Sequence, residues 1–86
     1  MVTGRDSPIG AELRDGRVLV AGGTAKRQVL RSAEIYDWRS NRWAHAAPMR
    51  QARSAASALV LRNGNVLVCG GSLYGTVLNS CELYHP

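Results

Sequence analysis

The chain has no phenylalanine among its 86 residues, only two tryptophans and three tyrosines, and a single lysine, Lys26. A core without Phe has to be filled with Ala, Val and Leu, so it is made of small and β-branched pieces. No apolar run approaches the ~20 residues that a membrane-spanning helix needs. The first ten residues, Met1 to Gly10, carry Arg5 but no apolar stretch, which excludes both a secretory leader and a membrane anchor there and leaves cytosolic placement as the default. No nucleophile elbow, phosphate loop or carboxylate pair is present. Two cysteines with the distant His45 and His85 lack metal-ligand spacing. No cofactor or metal is expected, and catalysis is not.

What is abundant is arginine. Lys and Arg number 11 against 6 acids, a net charge of +5, which steers acidic partners toward the chain. The arginines are spread from Arg5 to Arg62 without interleaved aromatics, so the pattern is not that of a nucleic-acid binder. So short a chain also buries a smaller share of its surface than a larger domain does.

The chain repeats itself. Asp15-Gly16-Arg17-Val18-Leu19-Val20-Ala21-Gly22-Gly23 returns as Asn63-Gly64-Asn65-Val66-Leu67-Val68-Cys69-Gly70-Gly71, a shift of 48 (63 minus 15). The same shift carries Val29-Leu30 onto Val77-Leu78, Ser32 onto Ser80, Glu34 onto Glu82 and Tyr36 onto Tyr84. Upstream, Met1, Arg5, Leu13 and Arg14 fall on Met49, Arg53, Leu61 and Arg62 with no insertion or deletion. Two units follow, residues 1–48 and 49–86, the second without a counterpart of Arg39 to Pro48.

Within a unit, Ser57 to Leu61 is a short apolar run ended by Asn63-Gly64, a strand and a tight hairpin turn whose positive φ angles Asn-Gly supplies. Asp15-Gly16 marks the equivalent turn. Asn65 to Cys69 is a continuous apolar strand that suits cover on both faces, closed by a glycine pair that permits a sharp bend or close approach. A polar loop follows. Ala33-Glu34-Ile35-Tyr36 alternates in period two, and Trp43 to Ala47, after the turn Asp37 to Arg42, is a fourth, edge strand. Four short antiparallel strands per unit, with no helical periodicity, describe a propeller blade.

The apolar run ending in Gly22-Gly23, Tyr36-Asp37 thirteen residues past Gly23, then Trp43 and Pro48-Met49, resemble the kelch repeat. The resemblance covers nearly the whole chain. It departs in the second unit, where His85 stands in place of Asp37 and the Trp-bearing strand is missing. It implies an all-β, incomplete propeller of four-stranded antiparallel blades, with Gly22, Gly23, Tyr36, Trp43, Gly70, Gly71 and Tyr84 as the structural repeat motif and the aromatics filling space between blades. It also implies protein binding through blade loops. In similar kelch domains an Arg before the innermost strand lines the channel mouth and grips acidic peptides, which casts Arg53, and less aptly Arg5, as partner-binding residues through paired guanidinium–carboxylate hydrogen bonds. The competing reading is that each Arg is solvated or pairs with a repeated Glu, Glu34 or Glu82.

Cys69 and Cys81 occupy the positions of Ala21 and Ala33. Across neighbouring strands they would suit a disulfide; as free thiols they would simply be small apolar residues in place of Ala. Copper-radical oxidases also carry kelch-like propellers, and a Cys–Tyr cross-link, a second Tyr and two His define them. Here Tyr36 and Tyr84 are repeat positions and no two His adjoin, so a fragment of a secreted galactose- or glyoxal-oxidase-like propeller is the alternative reading, beside a structural remnant with no activity. Fewer than two blades leave apolar faces bare and a strand edge open, so the chain is a piece of a larger propeller or a copy in a homo-oligomeric ring.

Overall fold

A computed structural model describes residues 4–86; Met1, aligned above with Met49, lies outside them. Among the described residues every regular element is a strand: β1 (Ile9–Glu12), β2 (Val18–Ala21), β3 (Thr24–Ala25), β4 (Gln28–Val29), β5 (Ala33–Asp37), β6 (Arg42–Ala46), β7 (Ser57–Val60), β8 (Val66–Cys69), β9 (Ser72–Leu73), β10 (Thr76–Val77) and β11 (Cys81–Tyr84). They form a four-stranded sheet ordered β1-β2-β5-β6, a three-stranded sheet ordered β11-β8-β7, and two small hairpins, β3-β4 and β9-β10. All pairings in both main sheets are antiparallel. The two hairpins occupy what the sequence offered only as polar loops.

The first turn of each sheet is built identically. Asp15 Oδ1 accepts the Arg17 N–H at 3.1 Å, and Asn63 Oδ1 accepts the Asn65 N–H at 3.1 Å. The Gly16 N–H reaches Leu13 O and the Gly64 N–H reaches Leu61 O, both at 3.0 Å. Only the glycines take positive φ, +91° and +89°, so Asp15 and Asn63 contribute their side-chain acceptor rather than a left-handed backbone. This is a three-residue loop with glycine in the left-handed position, so of the Asn-Gly pair expected to supply positive φ angles only the glycine does.

Register decides the faces. In the first sheet Ile9, Ala21, Ala33 and Ala46 share one row, and Ala11, Leu19, Ile35 and Ala44 the neighbouring one on the same face. That face meets the Ala58/Val68 and Val60/Val66/Tyr84 rows of the second sheet. The core joins Ile9, Leu13, Leu19, Ala21, Ala33 and Ile35 to Met49, Val66, Val68 and Tyr84, with Ala11, Ala46, Ala56, Ala58 and Val60 packed around them. Small side chains at the sheet contact supply the close packing that a Phe-free sequence requires.

Backbone hydrogen bonds lock the two sheets together beside that core. The Gly23 N–H donates to Arg53 O at 2.8 Å, the Arg53 N–H to Leu30 O at 3.1 Å, and the Ala55 N–H to Ser7 O at 2.9 Å. A Cβ on Gly22 would lie 2.4 Å from Arg53 O, and its φ is +67°. Glycine is required there by close approach as well as by conformation.

Candidate functional site

The two arginines singled out by the repeat point inward. Arg53 leaves 1% of its surface exposed. Its Nη1 donates to Gly70 O at 2.9 Å and Ser80 O at 2.8 Å, its Nη2 to Ser80 Oγ at 3.0 Å, and Glu82 Oε2 lies 3.9 Å away. The Arg5 side chain, equally hidden, gives Nη1 to Gly22 O at 2.9 Å and Ser32 O at 3.0 Å, and Nε and Nη2 to Glu34 Oε2 at 3.2 and 3.1 Å. Each guanidinium ties the end of its sheet's second strand to the start of the third. Arg53 and Arg5, which the resemblance cast as partner-binding residues, have their guanidiniums turned inward onto carbonyls of their own blades, and Arg5 onto a carboxylate as well. Ser32 and Ser80 complete these clamps. Their repetition at the shared shift was the sequence signal for that job.

Of the motif aromatics, Tyr84 is buried between the sheets and its hydroxyl donates to Ala47 O; burial pushes its pKa above the ordinary tyrosine value. Tyr36 and Trp43 lie on the opposite face of the first sheet, ring centroids 5.0 Å apart, with the Tyr36 hydroxyl bonded to Asn41 Oδ1 at 2.6 Å. Gly70 and Gly71 take φ of +72° and +87°, as Gly22 and Gly23 take +67° and +87°. Cys69 and Cys81, directly opposite one another on β8 and β11, are joined by a disulfide with Cα atoms 4.0 Å apart. Spent on each other, the sulfurs are not free for a Tyr cross-link.

Two four-residue apolar strands ending in paired glycines, each clamped by an Arg and followed by an antiparallel partner carrying Glu and Tyr, are the repeat in three dimensions. A kelch-motif family model matches residues 7–50. The chain belongs to the kelch-repeat family. Its two sheets are neighbouring kelch blades of an incomplete, all-β propeller, four-stranded in the first and three-stranded in the second. No curated protein matches the chain significantly. Among the described residues no helix is long and apolar enough to cross a membrane, and no group of three His, Cys, Asp or Glu side chains is placed to hold a metal.

The kelch topology also collects what the sequence scattered. The β1–β2, β5–β6 and β7–β8 turns all fall at one edge, because successive strands alternate in direction. Arg14, Arg39, Arg42 and Arg62 are exposed there, and Arg17, partly exposed, pairs with Asp15 at 2.7 Å. The Arg17 N–H, and then its guanidinium, hold the Asp15 carboxyl below the usual value. Trp38 lies at the same edge, 58% exposed, over the first turn with Nε1 3.3 Å from where a Gly16 Cβ would sit. The Arg39 guanidinium stacks 5.0 Å from the Trp38 ring. A cleft of about 260 Å³ runs between the two hairpin turns, lined by Arg14, Asp15, Arg17, Asn63 and Gly64 among others. Neither Trp38 nor these turn arginines stood out in the sequence, since the alternation of strand direction that unites them becomes visible only once the blades are assembled.

Proposed function

We propose that this chain is a protein-binding module, not an enzyme, and that it takes an acidic partner at the turn edge of its blades. The observation that carries this is the exposed Trp38 with Arg39 stacked on it, beside a cleft whose rim carries Arg14 and Arg17. Trp and Arg are the residues most often found at the energetic centre of protein interfaces, and an exposed guanidinium matches a carboxylate in geometry and charge. The net charge of +5 adds long-range attraction for an acidic surface. Arg5 and Arg53, whose side chains are buried against their own blades, support the blades that hold this edge.

The test is fluorescence anisotropy with a labelled acidic peptide. Binding is expected to weaken steadily with salt, as screening requires, and to fall about tenfold or more, the loss of a hot-spot residue, in Trp38→Ala and in the double variant Arg14→Glu/Arg62→Glu. Equal binding by wild type and both variants, with circular dichroism unchanged, would sink this reading.

A further inference from the structure

The outer faces of the two blades are the two halves of a joint that the chain already makes once within itself. On the second blade, Leu59, Leu67 and Leu83 share one row, with Ser57, Cys69 and Cys81 beside them. This face is bare: Leu59 is 62% exposed and Leu83 44%. The repeat shift maps Leu59, Leu67 and Leu83 onto Ala11, Leu19 and Ile35, the row with which the first blade packs on the second. On the first blade, the outward face carries Gly10, Val20, Val18 and Tyr36. These map onto Ala58, Val68, Val66 and Tyr84, the surface that receives the first blade.

The backbone repeats the correspondence. Within the chain, the Gly23 N–H, the Leu30 carbonyl and the Ser7 carbonyl of the first blade engage the Arg53 carbonyl, the Arg53 N–H and the Ala55 N–H of the second. Shifted by one unit, the same bonds call for the Gly71 N–H, the Leu78 carbonyl and the Ala55 carbonyl on one side. On the other they call for the Arg5 carbonyl, the Arg5 N–H and the Ser7 N–H. Among the described residues none of these six groups has a hydrogen-bond partner. Donors and acceptors left open at the two ends are thus complementary in kind and in order, and buried backbone groups are paired in folded proteins.

We propose that the second blade's Leu59/Leu67/Leu83 face docks on the Val18/Val20 face of another copy of this chain, head to tail, reproducing the internal joint between molecules. Such a contact is heterologous, and heterologous contacts repeat until the rotation closes. Propellers close at about four to eight blades, so two-blade copies close as a ring of about two to four. Glu12, which stands where the second blade has Val60, is at the end of its strand and marks the rim of this face. The proposal uses the sheet faces and is independent of the turn edge to which an acidic partner was assigned.

The experiment is native mass spectrometry and light scattering of the 86-residue chain, together with two variants that keep the fold. Leu59→Glu/Leu83→Glu charges the exposed face of the second blade. Gly10→Glu charges the receiving face, at an exposed position where an added Cβ meets nothing within 4 Å. Wild type is expected as one discrete closed species, and each variant alone as a monomer with unchanged circular dichroism. The equimolar mixture is expected to give a two-copy complex and nothing larger, because one good pair of faces survives. A wild-type monomer at all concentrations would overturn the proposal. So would a dimer that Gly10→Glu leaves intact, since that dimer would pair the leucine faces with each other.

Discussion

The two blades share a motif and differ in what covers them. In the first, Leu19 is fully buried, Ala33 is 1% exposed and Ile35 9%; their counterparts Leu67, Cys81 and Leu83 are half-buried, exposed and 44% exposed. The clamps differ as well. Glu34 lies against Arg5 Nε and Nη2 at 3.2 and 3.1 Å. Glu82 is instead drawn to the Arg50 and Gln51 N–H groups at 2.9 and 3.1 Å, which leaves it 3.9 Å from Arg53 and the buried Arg53 Nε without a partner. Near-identical strands therefore acquire different burial and different ion pairing. The neighbour of a blade, more than its own sequence, sets how tightly its residues are held.

That contrast can be broken most severely at Arg53. Arg53→Ala removes the guanidinium that holds Gly70 O and Ser80 O and is expected to cost about 3 to 5 kcal/mol, each charge-assisted bond being worth about 1.5 to 3, read from urea midpoints. Glu34→Gln is expected to cost more than Glu82→Gln, because only Glu34 touches its Arg directly; equal losses would mean that the two clamps are energetically alike.

The disulfide is the next largest difference, because it exists in the second blade alone. Converting Cys69 and Cys81 to the alanines found at those positions in the first blade removes a cross-link over a separation of 12 residues. The chain-entropy model puts the loss at about 3 kcal/mol, measurable as a fall in melting temperature that reducing agent reproduces in the wild type.

A finer comparison lies in the paired glycines. Gly22→Ala sets a Cβ 2.4 Å from Arg53 O, whereas Gly70→Ala meets only Leu78 O at 3.7 Å. Both positions have positive φ, so both variants carry the left-handed penalty of about 1 to 2 kcal/mol. Gly22→Ala is expected to add about 1 to 3 kcal/mol of overpacking. If a second copy docks on the second blade, Gly70→Ala will acquire that extra penalty at concentrations where the ring forms, which ties the two measurements together.

The smallest effect belongs to the tyrosines. Tyr84→Phe loses the bond to Ala47 O and is expected to cost about 1 kcal/mol, while Tyr36→Phe, bonded only to the exposed Asn41, should cost less. The raised pKa of Tyr84 gives this a pH signature. The folded state holds the phenol proton more tightly than the unfolded state, so the contribution is complete below the ordinary value of about 10 and is lost as pH rises through the higher folded value. Tyr84→Phe should flatten the alkaline arm of the stability profile; an unchanged arm would show that another group controls it.

Much of the fold was legible because repetition and strand chemistry are local. The apolar runs at Val18 and Val66, the Asp15-Gly16 and Asn63-Gly64 turns and the alternation at Ala33 to Tyr36 each give their strand or turn at the expected place, and the kelch resemblance joined them into blades. The hairpins β3-β4 and β9-β10 were missed since two-residue strands offer no periodicity to read. The site was less legible. Arg5 and Arg53 looked like binding residues, as an Arg before a strand reads the same whether it faces solvent or its own carbonyls, and Trp38 looked like one more turn residue.

By itself, then, the sequence determined the repeat, the strands and the turns that need glycine, all of which rest on backbone conformation and on contacts between nearby residues. Tertiary structure alone decided which arginines are buried, that Cys69 meets Cys81, that five arginines and a tryptophan share one edge, and that the leucine face of the second blade stays bare. Those outcomes depend on strand direction and on what lies across a sheet face, and neither is written in any single strand.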